Sequence, residues 1–112
     1  MIFTLIFAIL AYVVVALPRN IEDHRDSGEY MQGKDGHFIF LREYPCTSPS
    51  PCPTLLLLHG FPTSSYDYIQ TASSFTSTHN VLTYDQIGFG LSSKPKEGYR
   101  YNMENQARVM DW

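Results

Sequence analysis

"TLLLLHGFPTSSYDY", Thr54 to Tyr68, sets four consecutive leucines directly against a His-Gly-Phe-Pro turn. An unbroken apolar run from Leu55 to Leu58 predicts a strand buried on both faces, the habit of a central parallel strand; a half-exposed strand would alternate. Gly60 and Pro62 then force an abrupt change of direction at the strand's C-terminal end, since one is conformationally free and the other has a fixed φ and no N–H. Folds built on parallel strands place their chemistry in the loops that leave those ends. The stretch predicts an α/β fold and marks where its site belongs.

Downstream, Ser64 or Ser65 can cap a helix whose apolar positions Ile69, Ala72 and Phe75 recur at helical spacing. "THNVLTYD" reads as a loop and then a strand, Val81 to Tyr84, ending at Asp85. "QIGFGLSSKP" is a glycine-rich loop. "YNMENQARVMDW" starts a helix, with Asn102 as cap, Glu104 in the first turn, and Met103, Ala107 and Met110 on one face. Upstream, "GKDG" (Gly33 to Gly36) is a turn signal between "EYMQ" and "HFIFLREY", which predicts a hairpin, and a loop from Pro45 to Pro53 leads into the leucines. A hairpin followed by strand, helix, strand, helix predicts an α/β architecture with a parallel pair of strands. The organisation expected is an apolar signal or anchor segment at 1–18, a polar linker or edge element at 19–32, and an incomplete α/β domain at 33–112. The last helix reaches Trp112 without a C-cap.

The chain has 112 residues, room for one small domain, and a formal charge of −3, which argues against a nucleic-acid partner. "MIFTLIFAILAYVVVAL", residues 1–17, holds no charged side chain. As a helix it would span about 25 Å at about 1.5 Å per residue, slightly short of a hydrocarbon core of about 30 Å. A cleavable signal is supported by the short apolar run and by Val14 and Ala16 at plausible cleavage positions; the lack of a preceding Lys or Arg opposes it. An uncleaved anchor, the favoured reading, is supported by the near-sufficient length and the abrupt Pro18-Arg19 exit. Its expected partner is the membrane, and Arg19 and Arg25 weakly bias the body toward the cytosolic side. Cys46 and Cys52 flank a Pro/Ser loop, where a bridge in an oxidising compartment and two free thiols are equally compatible with the sequence. No Cys or His spacing suggests a metal, so none is expected.

Most candidate residues have a structural reading beside a chemical one. Gly88-Phe89-Gly90 resembles part of a dinucleotide fingerprint, but Ser93 stands where a third glycine is needed and Lys94-Pro95 follow. Around Ser92 the chain reads "GLSSK", which is no Gly-x-Ser-x-Gly elbow. Gly88, Gly90 and Ser92 therefore read as a loop shaped by glycine. Asp85, at a strand end, could act as a nucleophile, although local bonding to loop backbone is the commoner use of such a carboxylate. His24, His37 and His79 read as surface residues. His59 reads as a brace for the turn, together with Gly60 and Pro62. Phe61 is the remaining candidate, through its backbone N–H, because rigid amides can face an oxygen that develops negative charge.

Two motifs together, "LLLLHGFPTSSYDY" and "LTYDQIGFGLSSKP", resemble the N-terminal half of the α/β-hydrolase fold in its epoxide-hydrolase and haloalkane-dehalogenase branch. There, the third strand ends in His-Gly-x-Pro and the fourth leads into Asp-x-x-Gly-x-Gly-x-Ser. "YNMENQA" extends the resemblance toward the mesoderm-specific transcript group, which also begins with an apolar segment and is associated with the endoplasmic reticulum membrane. Gln86-Ile87 departs from the Arg-bearing pair common after this aspartate in epoxide hydrolases. The resemblance implies that the Phe61 N–H contributes to an oxyanion hole, that no cofactor is required, and that a small epoxide or ester is the substrate of a completed parent. It also implies that nucleophile, acid and catalytic histidine follow the helix beginning at Met103. The chain alone is expected to be inactive, with the leucine strand left at an open sheet edge. Two other readings stand beside this one: a membrane-anchored interaction protein without catalysis, and a small secreted protein held by a Cys46–Cys52 bridge.

Overall fold

The hairpin forms where turn chemistry demands it. In the computed structural model, which describes residues 20–109, Glu29–Gln32 (β1) and Phe38–Tyr44 (β2) pair antiparallel, with Gln32 opposite Phe38 across the glycine turn. Before them runs a short helix, Asn20–Asp26 (α1), so the segment read as a linker or edge element contains a helix and the edge strand β1. Thr54–Leu58 (β3) matches the leucine run. Ser64 caps the next turn by accepting the Tyr66 N–H; it starts as a 3-10 helix at Ser65–Tyr68 and continues as α2, Ile69–Phe75. Asn80–Tyr84 (β4) follows, and Asn102 caps α3, Met103–Arg108, by accepting the Asn105 N–H.

The sheet order is β1-β2-β4-β3, with β4 antiparallel to β2 and parallel to β3. Register fixes the two faces. Leu55, Val81 and Tyr44 stand in one row across the sheet, and Ala72 of α2 packs on them. Leu41 and Tyr84 belong to the opposite face, where Ile39, Ile87 and Val109 complete a second apolar cluster. The sheet is thus sandwiched between α2 on one side and the α3 end on the other, the layering that buries both faces of a sheet.

β3 lies at the open edge expected of the incomplete sheet, and burial on both faces is what the structure corrects. Its leucines alternate: Leu55 and Leu57 are half-buried beneath α2, while Leu56 and Leu58 are exposed, Leu58 at 52%. An apolar run reports the burial a strand could use, and its neighbours decide the burial it gets. α3 corrects a second expectation. Its inward residues are Gln106 and Val109, whereas Met103 is 82% exposed and Ala107 faces solvent. Met110 lies outside the described residues, as does the apolar segment 1–17; among the described residues no helix is long and apolar enough to cross a membrane. Cys46 and Cys52 are joined as a disulfide, and the Asn80 side chain holds both ends of that loop, accepting the Cys46 N–H and donating to the Cys52 carbonyl.

Candidate functional site

At the C-terminal end of β3 the backbone carbonyls are taken one after another. Leu58 O accepts the Tyr68 hydroxyl at 2.5 Å, and His59 O accepts the Gln86 side-chain amide at 2.6 Å. Gly60 O accepts the Thr63 N–H, the Thr63 hydroxyl and His59 Nδ1–H. The Phe61–Pro62 peptide bond is cis. Among the described residues no acceptor takes the Phe61 N–H. Three engaged carbonyls followed by an amide without an acceptor among the described residues leave the turn with a donor as its available polar group.

His59 is buried and uses both ring nitrogens: Nδ1–H donates to Gly60 O, and Nε2 accepts the Gln86 N–H at 3.0 Å. The ring ties the turn after β3 to the first residue beyond Asp85. Gln86 returns the bond through its side chain, forming a two-way clasp whose second half the sequence did not advertise.

Asp85 is buried at the end of β4. One carboxylate oxygen accepts the Ser65 N–H and the other the Leu91 N–H, each at 2.7 Å, while its carbonyl accepts the Ser92 hydroxyl. The carboxylate thus links the helix after the His-Gly-Phe-Pro turn to the glycine loop. Beyond Tyr84 that loop replaces β4 as the partner of β2: Ser92 Oγ accepts the Phe40 N–H, Ser93 Oγ accepts the Phe38 N–H, and Ser93 N donates to Phe38 O. Gln106 of α3 grips the same loop at both polar groups of Ile87. This polar inward residue explains why an apolar-face reading of α3 missed its orientation.

Gly90 has φ +49°, and a Cβ there would run into the Asp85 carboxylate. Gly90→Ala is therefore expected to cost roughly 1–3 kcal/mol, as overpacking against a fixed group does; urea unfolding measures it, and a change below about 0.5 kcal/mol, the scale of ordinary surface substitutions, would show that the carboxylate yields.

His59, Gly60, Phe61, Phe89, Tyr101 and Met103 line a mainly apolar cleft of about 740 Å3, with Gln86, Gly88, Asn102 and Gln106 completing it. The Phe61 ring, 86% exposed, stands edge-on to Phe89 at 6.1 Å, and Phe89 in turn packs against His59. The structure thus brings His59, Gly60, Phe61 and Gly88 to one cleft and places Asp85 and Ser92 behind it as supports. Two hydroxyl–histidine pairs occur among the described residues, His24 with Ser65 and Thr78 with His79, and neither lines the cleft. The described residues contain no metal-binding cluster of His, Cys, Asp or Glu.

Residues 53–112 match the family model of the alpha/beta hydrolase fold. The LipZ hydrolase of Mycobacterium tuberculosis, whose function is itself assigned only provisionally, is 36% identical over 82% of this chain and 30% of its own length. The human mesoderm-specific transcript homolog protein is 36% identical over 78% of this chain and 25% of its own length. Among solved structures, the haloalkane dehalogenase DatA from Agrobacterium tumefaciens superimposes with a TM-score of 0.61 at 32% identity, covering 75% of this chain and 26% of the dehalogenase. The chain belongs to the α/β hydrolase fold family and corresponds to its N-terminal part. It spans 25–30% of the length of these two curated relatives.

Proposed function

We propose that this chain is the N-terminal, oxyanion-binding part of a membrane-associated hydrolase acting on a small epoxide or ester, and that it is inactive alone. The observation that carries the reading is the unengaged Phe61 N–H after three engaged carbonyls, at the mouth of an apolar cleft. Nucleophilic displacement needs an activated nucleophile within reach of a base, and the described residues lining the cleft hold no such pair. In a longer parent, both would come from outside this segment, with water completing the reaction and no cofactor taking part.

The membrane partner is the apolar segment 1–17, and the favoured location is the endoplasmic reticulum. The Cys46–Cys52 bridge supports an oxidising side for the body, which outweighs the weak charge bias of Arg19 and Arg25. Exposed Leu56 and Leu58 favour a second reading, a non-catalytic protein that docks through the β3 edge.

The test compares the 112-residue chain with a longer protein carrying this segment, using an activated aryl ester and an aryl epoxide. Turnover is expected only from the longer protein, with the trapped covalent intermediate beyond residue 112. Turnover by the short chain above buffer, or an intermediate within it, overturns the reading; inactivity of both favours the docking protein.

A further inference from the structure

His24, expected at the surface because it sits among charged residues, is 2% exposed. Among the described side chains of its helix, residues 21–26, it is the one that faces inward, so no periodicity marks it. The ring lies 5.2 Å from that of Phe40 and edge-on to Tyr66 at 5.5 Å. Arg42 Nη1 stands 3.1 Å from Nδ1, and Ser65 Oγ stands 3.1 Å from Nε2. A guanidinium has only donors, so Nδ1 must accept and Nε2–H must donate to Ser65. This arrangement exists only for the neutral ring. Where α1 turns into β1, the chain crosses so near to the Phe40 ring and Leu41 carbonyl that a Cβ on Gly28 would collide with them. The close crossing and the histidine together seat α1 on the body.

We propose that α1 is an acid-released latch, docked through neutral His24 between Arg42 and Ser65 and freed when that ring takes up a proton. A protonated ring turns Nδ1 into a second donor facing Arg42, placing two cations at hydrogen-bond distance in a buried setting. The docking bond is then replaced by repulsion. The other groups facing the ring are Tyr66 from the 3-10 turn and Asp85 from the end of β4. Asp85 favours the charged ring, but its two oxygens already accept the Ser65 and Leu91 amides. On α1 itself Glu22, Asp23, Arg25 and Asp26 provide the remaining charges. Burial first, then Arg42, holds His24 below the ordinary histidine range, with Asp85 partly opposing.

The sign follows. A folded value below the unfolded one gives docking that is complete above the ordinary histidine value near 6.5. Docking then weakens as pH falls from there toward the folded value. Ser65 is also the residue whose N–H Asp85 accepts, so the latch reaches the support beneath the His-Gly-Phe-Pro turn, while the apolar segment 1–17 lies just before α1. Acid release would loosen the tether between that segment and the body.

The test uses the full 112-residue chain in detergent micelles. Amide exchange, corrected for intrinsic rates, is compared for residues 20–28 and for β2 at pH 7.5 and pH 5. Protection of 20–28 is expected to fall several-fold at pH 5 while β2 stays protected, and in His24→Gln, whose amide can satisfy both partners without titrating, 20–28 is expected to stay protected. Unchanged protection at pH 5, simultaneous loss in β2, no protection at pH 7.5, or an unaltered acid response in H24Q overturns the proposal. If H24Q fails to dock at neutral pH, the wild-type NMR titration decides: a His24 midpoint below the ordinary histidine value near 6.5, with loss of protection at 20–28 following that midpoint, supports the latch, and a midpoint at or above it overturns it.

Discussion

Replacing Asp85 with alanine is expected to destabilise the domain by up to roughly 6 kcal/mol, because it strands one buried and one part-buried amide, at roughly 1–3 kcal/mol each when fully desolvated. The amides are those of Ser65 and Leu91, both now held at 2.7 Å. They belong to different segments, one entering the helix after the His-Gly-Phe-Pro turn and the other inside the glycine loop. Their loss separates the two walls that meet behind the cleft. Small domains retain only about 5–15 kcal/mol of net stability, so the upper part of that range unfolds the protein outright. Asp85→Asn should fall between wild type and alanine, since an amide keeps one acceptor and turns a donor toward the other N–H. Denaturant unfolding monitored by circular dichroism gives the comparison. An alanine variant as stable as wild type would remove the structural role assigned to Asp85. If it were nevertheless inactive in a longer catalytic protein, the aspartate would be a chemical participant.

Much of this arrangement was legible in the chain, for reasons that can be named. β3 occupies Thr54–Leu58 because four leucines between Pro53 and His-Gly leave few alternatives, and Ser64 and Asn102 cap helices where their oxygens can accept early N–H groups. The hairpin sits around Gly33–Gly36 for the same local reason. Strand order was not legible from pattern alone, since no feature within β4 says that β2 and β3 will lie on either side of it; the open edge at β3 was implied by the resemblance and not by the pattern. Polar residues held by distant partners were the hardest to read. His24 and Gln106 are buried and Gln86 half-buried because each finds hydrogen-bond partners distant in sequence: Ser65 and Arg42 for His24, Ile87 for Gln106, and His59 for Gln86. Hydrophobic periodicity ranks such residues as outward, and only their partners reverse the sign. The His-Gly-Phe-Pro turn was readable as a place, whereas the engagement of its carbonyls needed coordinates.

In a longer catalytic protein carrying this segment, Phe61→Pro is expected to lower kcat by about 10²–10³-fold, the loss typical of one missing oxyanion-hole donor. The substitution removes an amide after β3 that has no acceptor among the described residues, while Leu58, His59 and Gly60 keep their carbonyl partners Tyr68, Gln86 and Thr63. Phe61→Ala is the necessary companion, because it keeps the N–H and deletes the exposed ring that stands against Phe89. An interaction made only in the transition state lowers kcat and kcat/KM together, whereas uniform binding of substrate to an apolar wall appears in KM alone. Both variants delete the ring and should raise KM alike, so they separate in kcat: proline loses it, and alanine keeps it within about threefold, a difference under 1 kcal/mol in barrier. Denaturant unfolding of both variants guards against a general disturbance of the turn, since loss of the His59–Gln86 clasp would weaken proline in stability as well as rate. If F61P folds as stably as F61A and retains kcat within about threefold of the parent, the Phe61 amide does not face the developing oxyanion, and the site must draw its donors from elsewhere.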